Sequence, residues 1–449
     1  MSSGGRIISS EVEWGLRLYD NEDALSDIQP LSKELQSFLP EGVVSHEQYL
    51  SNGGSLLIDF GYHPEYSAAE FDSVEEATAG EMAGEVVTNH SLSGFVAANP
   101  KLSSFRQNKR VRDHIGNTWG YHENYGAQAG KIRIAEDVLG TLALHFATRN
   151  IYAGAGFVDQ YPDDEPVFRV AQKQLNLNVD FSAATTGEDH KAVVNLRNQA
   201  HADNKRFLRL HMTSGDAHMS PWAMRMTFGT TSLVIKMIER GYELDHLEPR
   251  FMYANLAKMV ARDLTLAEKY TTVTGESILP VDAQEALVEI GELLDDDGLL
   301  NEEEQWVLKE WRYTVDTLRS NPRSLSDRCE WMLKQDFVEK HIGRLRQEAP
   351  QTKHALAAAR HIDMLWDEFS EDGIGLKLRS SIWKPWMPRQ ETIDHLVTNP
   401  PASTRARVRG LIVKNHTESI SKMSWDRVEF DSATIQLPNP YQSELGSLV

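Results

Sequence analysis

A chain of 449 residues with a single cysteine, Cys329, can form no internal disulfide and no thiolate cage for a structural zinc. Such scarcity fits a reducing cytoplasm, the compartment expected here. Long apolar runs are missing as well. No stretch approaches the roughly 20 residues that cross a bilayer, and the opening "MSSGGRIISS" has neither the basic nor the apolar region of a secretory leader. No membrane partner is expected. Positive charge is in deficit, with 46 Lys+Arg against 66 Asp+Glu and a formal net charge of −20. A surface of that sign repels phosphate backbones, so nucleic acid is not an expected partner. HExxH, paired CxxC, GxSxG and phosphate-loop signatures are all absent, and "AGAGF" at 153–157 lacks the third glycine of a dinucleotide fingerprint. Zinc hydrolases, serine hydrolases and Rossmann enzymes thereby lose their local signals.

What is present reads as a globular protein, 41% hydrophobic and 25% charged. "RIISSEVEWGLRL" has the pattern of a strand, "LSKELQSFL" of a helix and "GSLLIDF" of another strand. "KIRIAEDVLGTLALHFATRNI" reads as a strand or turn followed by a helix, and "TTSLVIKMIERG" as a helix. From about 280 to 370 the pattern is mainly helical, and Val307, Leu308, Trp311, Val315 and Leu318 recur at the spacing of a core-facing stripe. The acidic run "LLDDDGLLNEEEQ", 293–305, would need Leu293 as the first ligand of a calcium loop, so it is read as a solvated connection between helices. "WKPWMPRQ" and "NPPAST", between 383 and 403, mark a boundary before a small C-terminal module.

Four clusters carry chemistry. In "SEVEWG", strand alternation puts Glu11 and Glu13 on one face, where two carboxylates repel unless a cation lies between them. Mg²⁺, which prefers oxygen ligands, suits that position. "IDFGYHPEYSAAE", 58–70, ends a strand near Pro64 and offers Asp59 and Glu65 beside it. In "NTWGYHENYG", 117–126, His122 and Asn124 share a face. "NLRNQAHADNKRFLRLHMTSGDAHMS", 195–220, supplies Arg197, His201, Arg209, His211, Asp216 and His218. Carboxylates for Mg²⁺ and arginines for phosphates together point to ATP-dependent phosphoryl transfer.

Taken in order, "EVEWG", "NGGSLLIDFGYHPEYSAAE", "GYHENY", "LRNQAHAD", "RLHMTSGDAHMS", "NPPASTRARVRG" and "SWDRVEFD" resemble the family of the ligase of Pup, the prokaryotic ubiquitin-like protein, and its sister, the Pup deamidase/depupylase. The resemblance runs from residue 6 to about residue 440. It implies an α+β fold: a large glutamine-synthetase-like domain, 1–380, whose curved antiparallel sheet cradles ATP and Mg²⁺, and a small C-terminal domain, 381–449. It implies a ligase that moves the γ-phosphate of ATP onto the C-terminal glutamate side chain of Pup, after which a target lysine displaces phosphate and an isopeptide bond remains. The implied partners are a Pup-like small protein and lysine-bearing targets. By motif match, Glu11, Glu13 and Glu65 would hold Mg²⁺ with His122 and His211. Asn124, Lys173, Arg197 and Arg405 would join the two histidines around the nucleotide. Arg197 would neutralise charge developing on the phosphates, and Asp59 would deprotonate the incoming lysine.

The chain departs from the family's NG-x-R-x-Y-x-D at Ser55 and Leu57. Lys173 stands where the family has arginine, keeping the charge and losing the planar fork. His218 and Pro221 replace asparagine and glutamate, so metal-side residues survive better than those the resemblance turns toward the phosphorylated substrate. Two other activities share these residues: a deamidase/depupylase with Asp59 as nucleophile, and a phosphotransferase of the same fold with a non-Pup acceptor. The segment from about 16 to 50 is too short for the long extra loop of the deamidase, which favours the ligase.

Overall fold

The computed structural model describes residues 5–27, 43–44, 47–59, 61–132, 136–160, 166–184, 189–196, 206–348 and 354–444. The helix expected over "LSKELQSFL" lies outside these residues, as do Arg197 and His201.

Among the described residues up to 212 there are fourteen strands, interspersed with helices: β1 (Ile8–Glu13), β2 (Gly15–Asp20), β3 (Leu25–Ser26), β4 (Val43–Val44), β5 (Gln48–Tyr49), β6 (Ser55–Ile58), β7 (Pro64–Ser67), β8 (Leu102–Asn108), β9 (Tyr121–Gln128), β10 (Phe157–Gln160), β11 (Pro166–Arg169), β12 (Val179–Ser182), β13 (Ala192–Asn195) and β14 (Phe207–Met212). Nine of them form one sheet in the order β12-β13-β14-β9-β1-β7-β6-β5-β4. Every pairing in it is antiparallel except β12 with β13, as the fold class read from the sequence requires.

Period-two alternation gives this sheet two different faces. Leu56, Tyr66, Tyr125 and Leu210 point into the main core, which they share with the helices Glu136–Thr148 and Pro221–Glu239. Their strand neighbours Leu57, Glu65, His122 and His211 turn to the other side. The helix Val74–Ala98 packs closely enough that a Cβ on Gly80 would lie 2.1 Å from the Phe71 ring, and one on Gly84 2.2 Å from Tyr66. Its N-terminus is capped by Ser73 and by Glu303, which accepts from the amides of Val74 (2.9 Å) and Glu75 (2.8 Å), an anion placed at the positive end of the helix dipole.

One strand in the sequence reading becomes two. "RIISSEVEWGLRL" breaks at Trp14, whose side chain is fully buried, and β2 leaves the large sheet to pair with β3 and β8. The helical region from 280 to 366 is as expected. Val307, Leu308, Trp311, Val315 and Leu318 are buried, and the acidic run connects the helices Pro280–Asp296 and Glu302–Ser320. Within 381–449, the helix Gln390–Thr398 places Ile393 and Leu396 in the main core. The helix Arg405–His416 and the strands Ile420–Ser424, Arg427–Phe430 and Thr434–Gln436 build a second small core around Val408, Ile412, Met423 and Val428, closed by Tyr49. Among the described residues no helix is long and apolar enough to cross a membrane.

Candidate active site

The polar face of the sheet forms one wall of a cavity of about 1290 Å³. Sheet order decides which carboxylate meets which partner. Because β1 lies between β9 and β7, Glu11 stands opposite His122 and Glu13 opposite Glu65. The five residues expected at the metal therefore divide between two groups, the second joined by Asp59: Glu11–His122–His211 and Glu13–Asp59–Glu65, each with ligand atoms within 4.8 Å of one another.

In the first group, the Glu11 carboxylate faces His122 Nδ1 at 2.9 Å and accepts from Asn124 Nδ2 at 3.0 Å and Arg209 Nη2 at 2.6 Å. Burial would raise its pKa, but Arg209 and the two histidines outweigh it and hold the carboxyl well below the usual range. His211 is pushed down to about 3, first by burial and then by Arg209, so the ring is neutral. Neither of its nitrogens has a hydrogen-bond partner among the described residues, and Nε2 stays 3.5 Å from Glu11. A buried neutral imidazole whose one ring lone pair is unused is in the state that binds a metal ion.

The second group is all carboxylate. Burial and the neighbouring Glu11, Glu13, Asp59 and Glu47 hold the Glu65 carboxyl well above its ordinary range. A divalent cation would relieve that crowding, so the donor set fits hard Mg²⁺. Asp59 is exposed at the end of β6, in a tight turn where its amide donates to the His63 carbonyl (2.8 Å) and its carbonyl accepts from the Tyr62 amide (3.0 Å). Tyr62 adopts φ 66°, a left-handed conformation that costs a non-glycine residue roughly 1 kcal/mol or more. Gly120 also has a spatial reason: a Cβ there would fall 2.1 Å from Glu13 Oε1.

Lys173 lines the cavity and donates Nζ to the Trp119 carbonyl. Burial brings its pKa down to about 8. The buried Asp216 fixes the turn that carries it, accepting from the amides of Ala155 (3.1 Å), Gln172 and Lys173 (2.8 Å).

Three expectations change. Asn124 is not on the cavity wall but behind it, giving Nδ2 to Glu11 and accepting from Arg209 Nε at 2.7 Å. Arg405, expected at the nucleotide, is buried. Its Nε donates to Glu70 Oε1 (2.8 Å) and its Nη1 to the Leu437 carbonyl (2.9 Å), because a buried Glu70 needs cationic partners. His218 and Pro221 do not face the cavity either. His218 packs 3.5 Å from Glu330, and Pro221 opens a helix capped by Ser220. Arg197 lies outside the described residues.

Arg209, named in the fourth cluster as one of the arginines for phosphates, shares a strand face with His211 and holds Glu11 instead. One contributor was not named from the sequence. Glu47 carries no local signal. Its carboxylate accepts from Ser55 Oγ (2.6 Å), Tyr49 OH (2.9 Å) and Trp425 Nε1 (3.1 Å) and lines the cavity beside the departure at position 55.

The sequence pattern of the Pup-ligase protein family matches residues 6–429. A Pup–protein ligase of Acidimicrobium ferrooxidans is 29% identical over 411 residues, covering 89% of this chain and 88% of that protein. A Pup deamidase/depupylase of Mycolicibacterium smegmatis is 28% identical over 424 residues, covering 92% and 82%. Among solved structures, the complex between Pup and its ligase PafA is similar with a TM-score of 0.85 and 23% identity, covering 99% of this chain and 90% of that one. The Pup ligase PafA in complex with ADP gives a TM-score of 0.76 at 23% identity, with 94% and 93% covered. Both structures share this chain's fold.

Proposed function

The chain belongs to the Pup-ligase protein family, and we propose on that premise that its cavity binds ATP with Mg²⁺ and serves Pup ligation. The protein is an ATP-dependent ligase: it phosphorylates the side-chain carboxylate of a C-terminal glutamate on Pup, and a target lysine then displaces phosphate to leave an isopeptide bond. The observation that carries the reading is the pair of ligand groups on one cavity wall, Glu11–His122–His211 and Glu13–Asp59–Glu65. Glu11, Glu13, Glu65, His122 and His211 would hold Mg²⁺, which when bound screens the charge of the phosphates. Arg209 and Asn124 keep the Glu11 carboxylate ionised and oriented. Lys173 brings a positive charge to the phosphates. Asp59, exposed at the strand end, accepts the proton that the lysine ammonium must lose before it attacks. We assign 1–380 to the catalytic domain and 381–449 to a small domain that closes one end of the cavity with Ser424 and Trp425. A reducing cytoplasm suits the chain, whose one cysteine is free and buried.

The 28% identity to a deamidase/depupylase supports a second reading, hydrolysis at the same carbon with Asp59 as nucleophile. One experiment separates the two. Incubate the protein with Mg²⁺, γ-labelled ATP, a lysine-bearing target and Pup ending in either glutamate or glutamine. Ligation predicts label leaving ATP and a Pup–target conjugate with the glutamate form, and Asp59→Asn slows it by about 10²–10⁴-fold. Ammonia release from the glutamine form without a conjugate would replace the ligase by the deamidase. No turnover of either form would defeat both.

A further inference from the structure

The cavity is electrically lopsided. Its wall from β1 to β5 presents Glu11, Glu13, Glu65, Asp59 and Glu47. Outside that sheet, β2 and the end of β8 bring Arg17, Asn108 and Arg110 to the cavity lining. The cavity's cations differ in what they already hold. Arg110 is engaged by Asp363 (2.8 Å) and by the Arg112 carbonyl (2.7 Å). Lys173 is engaged by the Trp119 carbonyl.

Arg17 is different. It is half-buried, and its contact among the described residues is one hydrogen bond to an uncharged amide, from Nη2 to Asn108 Oδ1 at 3.2 Å. Asn108 is fixed in turn, donating Nδ2 to the Met364 carbonyl at 2.9 Å, so its oxygen is held toward the guanidinium. Among the described residues no carboxylate forms an ion pair with Arg17. A guanidinium steadied by an amide and otherwise uncommitted presents a planar fork of N–H donors to the cavity, the geometry that matches a carboxylate.

A carboxylate-bearing acceptor is not served at position 55. Ser55 is fully buried and gives its hydroxyl to Glu47, whose fixed negative charge repels a second carboxylate there. From these placements we infer that Arg17 seats the α-carboxylate of the acceptor's terminal glutamate, leaving the side-chain carboxylate to face the carboxylate–histidine wall. Arg17 is thus a specificity-determining residue for that acceptor, reading its free α-carboxylate. This rests on the ligase reading for the identity of the acceptor.

The test uses the full chain and two synthetic peptides with the C-terminal sequence of Pup, one ending in glutamate with a free α-carboxylate and one ending in its α-amide. Calorimetry should show the free acid binding the unmodified protein about 10–100-fold more tightly than the amide, the range set by losing a charge-assisted pair. Arg17→Gln should bind both peptides at the amide's weaker affinity, and Arg17→Lys should recover part of the difference. Equal binding of acid and amide by the unmodified protein overturns the inference. So does an acid-over-amide preference that survives in Arg17→Gln. Binding of ADP with Mg²⁺ to the unmodified protein is measured separately. Its absence would sink the ligase reading, while the peptide comparison still decides what Arg17 recognises.

Discussion

Replacing Gly120 by alanine isolates the metal wall from the rest of the fold. Its backbone does not require glycine, since Gly120 is not among the residues with positive φ. Its surroundings do: the new Cβ would lie 2.1 Å from Glu13 Oε1, 2.9 Å from Glu13 Cδ and 3.1 Å from His122 Cε1. Ordinary contact begins near 3.4 Å, so the carboxylate must retreat by about 1.3 Å, whereas a functional constellation tolerates roughly 0.5 Å. The atom displaced is the far end of a flexible side chain, so relaxation costs little. Moving Glu13 also takes one like charge away from Glu65, which it crowds. Gly120→Ala should therefore keep the metal-free Tm within a few degrees while weakening Mg²⁺-dependent ADP binding by about 10–100-fold, the usual effect of disturbing a metal ligand's support. Thermal melts and calorimetry with and without Mg²⁺ measure both. Gly94→Ala is the control, since a Cβ there meets open space on a helix. Unchanged metal dependence in Gly120→Ala would refute the assignment of Glu13. A collapse of the metal-free protein would refute the claim that the displacement is cheap.

The raised Glu65 carboxyl makes a pH prediction. The native state holds that proton more tightly than the unfolded chain, so metal-free stability falls as pH rises from the ordinary carboxylate range through the raised value. Mg²⁺ should restore stability on the alkaline side and add little at acid pH. Melts that gain equally from Mg²⁺ across the range would contradict this. Lys173, brought down to about 8, loses its charge as pH rises through that value. Nucleotide affinity should weaken there in the unmodified protein and stay level in Lys173→Arg; matching profiles would remove Lys173 from the phosphate site. Ser55→Arg should pair with Glu47, an attraction of about 4 kcal/mol at 4 Å in partly screened surroundings, and so leave Pup affinity unchanged. Combining it with Glu47→Gln should raise affinity, and a gain from Ser55→Arg alone would show that Glu47 does not capture the new charge.

The face of each site strand was legible because alternation is local: Glu11 with Glu13, and His122 with Asn124, were matched along a single segment. Their partners across the sheet were not. That Glu11 meets His122 while Glu13 meets Glu65 depends on β1 lying between β9 and β7, which no window of the sequence contains. The break at Trp14 escaped notice because apolar and polar residues keep strand spacing through it. Arg405 shows a different limit. Arginines on a helix read alike whether they face a ligand or a buried acid, and only the distant Glu70 distinguishes them. Arg17 lacked any local signal, since its place depends on the amide of Asn108 on another strand.

Glu70 also ties down the C-terminal module beside the cavity. It is buried between Arg405 and Arg409, and Arg409 reaches on to the Gly53 carbonyl. A Cβ on Gly53 would meet Ala406 at 2.9 Å, and one on Gly410 the Ser51 carbonyl at 2.4 Å, so helix and turn touch through backbone. Lifting the helix Arg405–His416 away would take Arg405 and Arg409 from the buried Glu70, at about 3–5 kcal/mol for a broken buried pair. Fewer than about 1% of molecules would be open at that end at any moment. The C-terminal module is a fixed abutment and not a door.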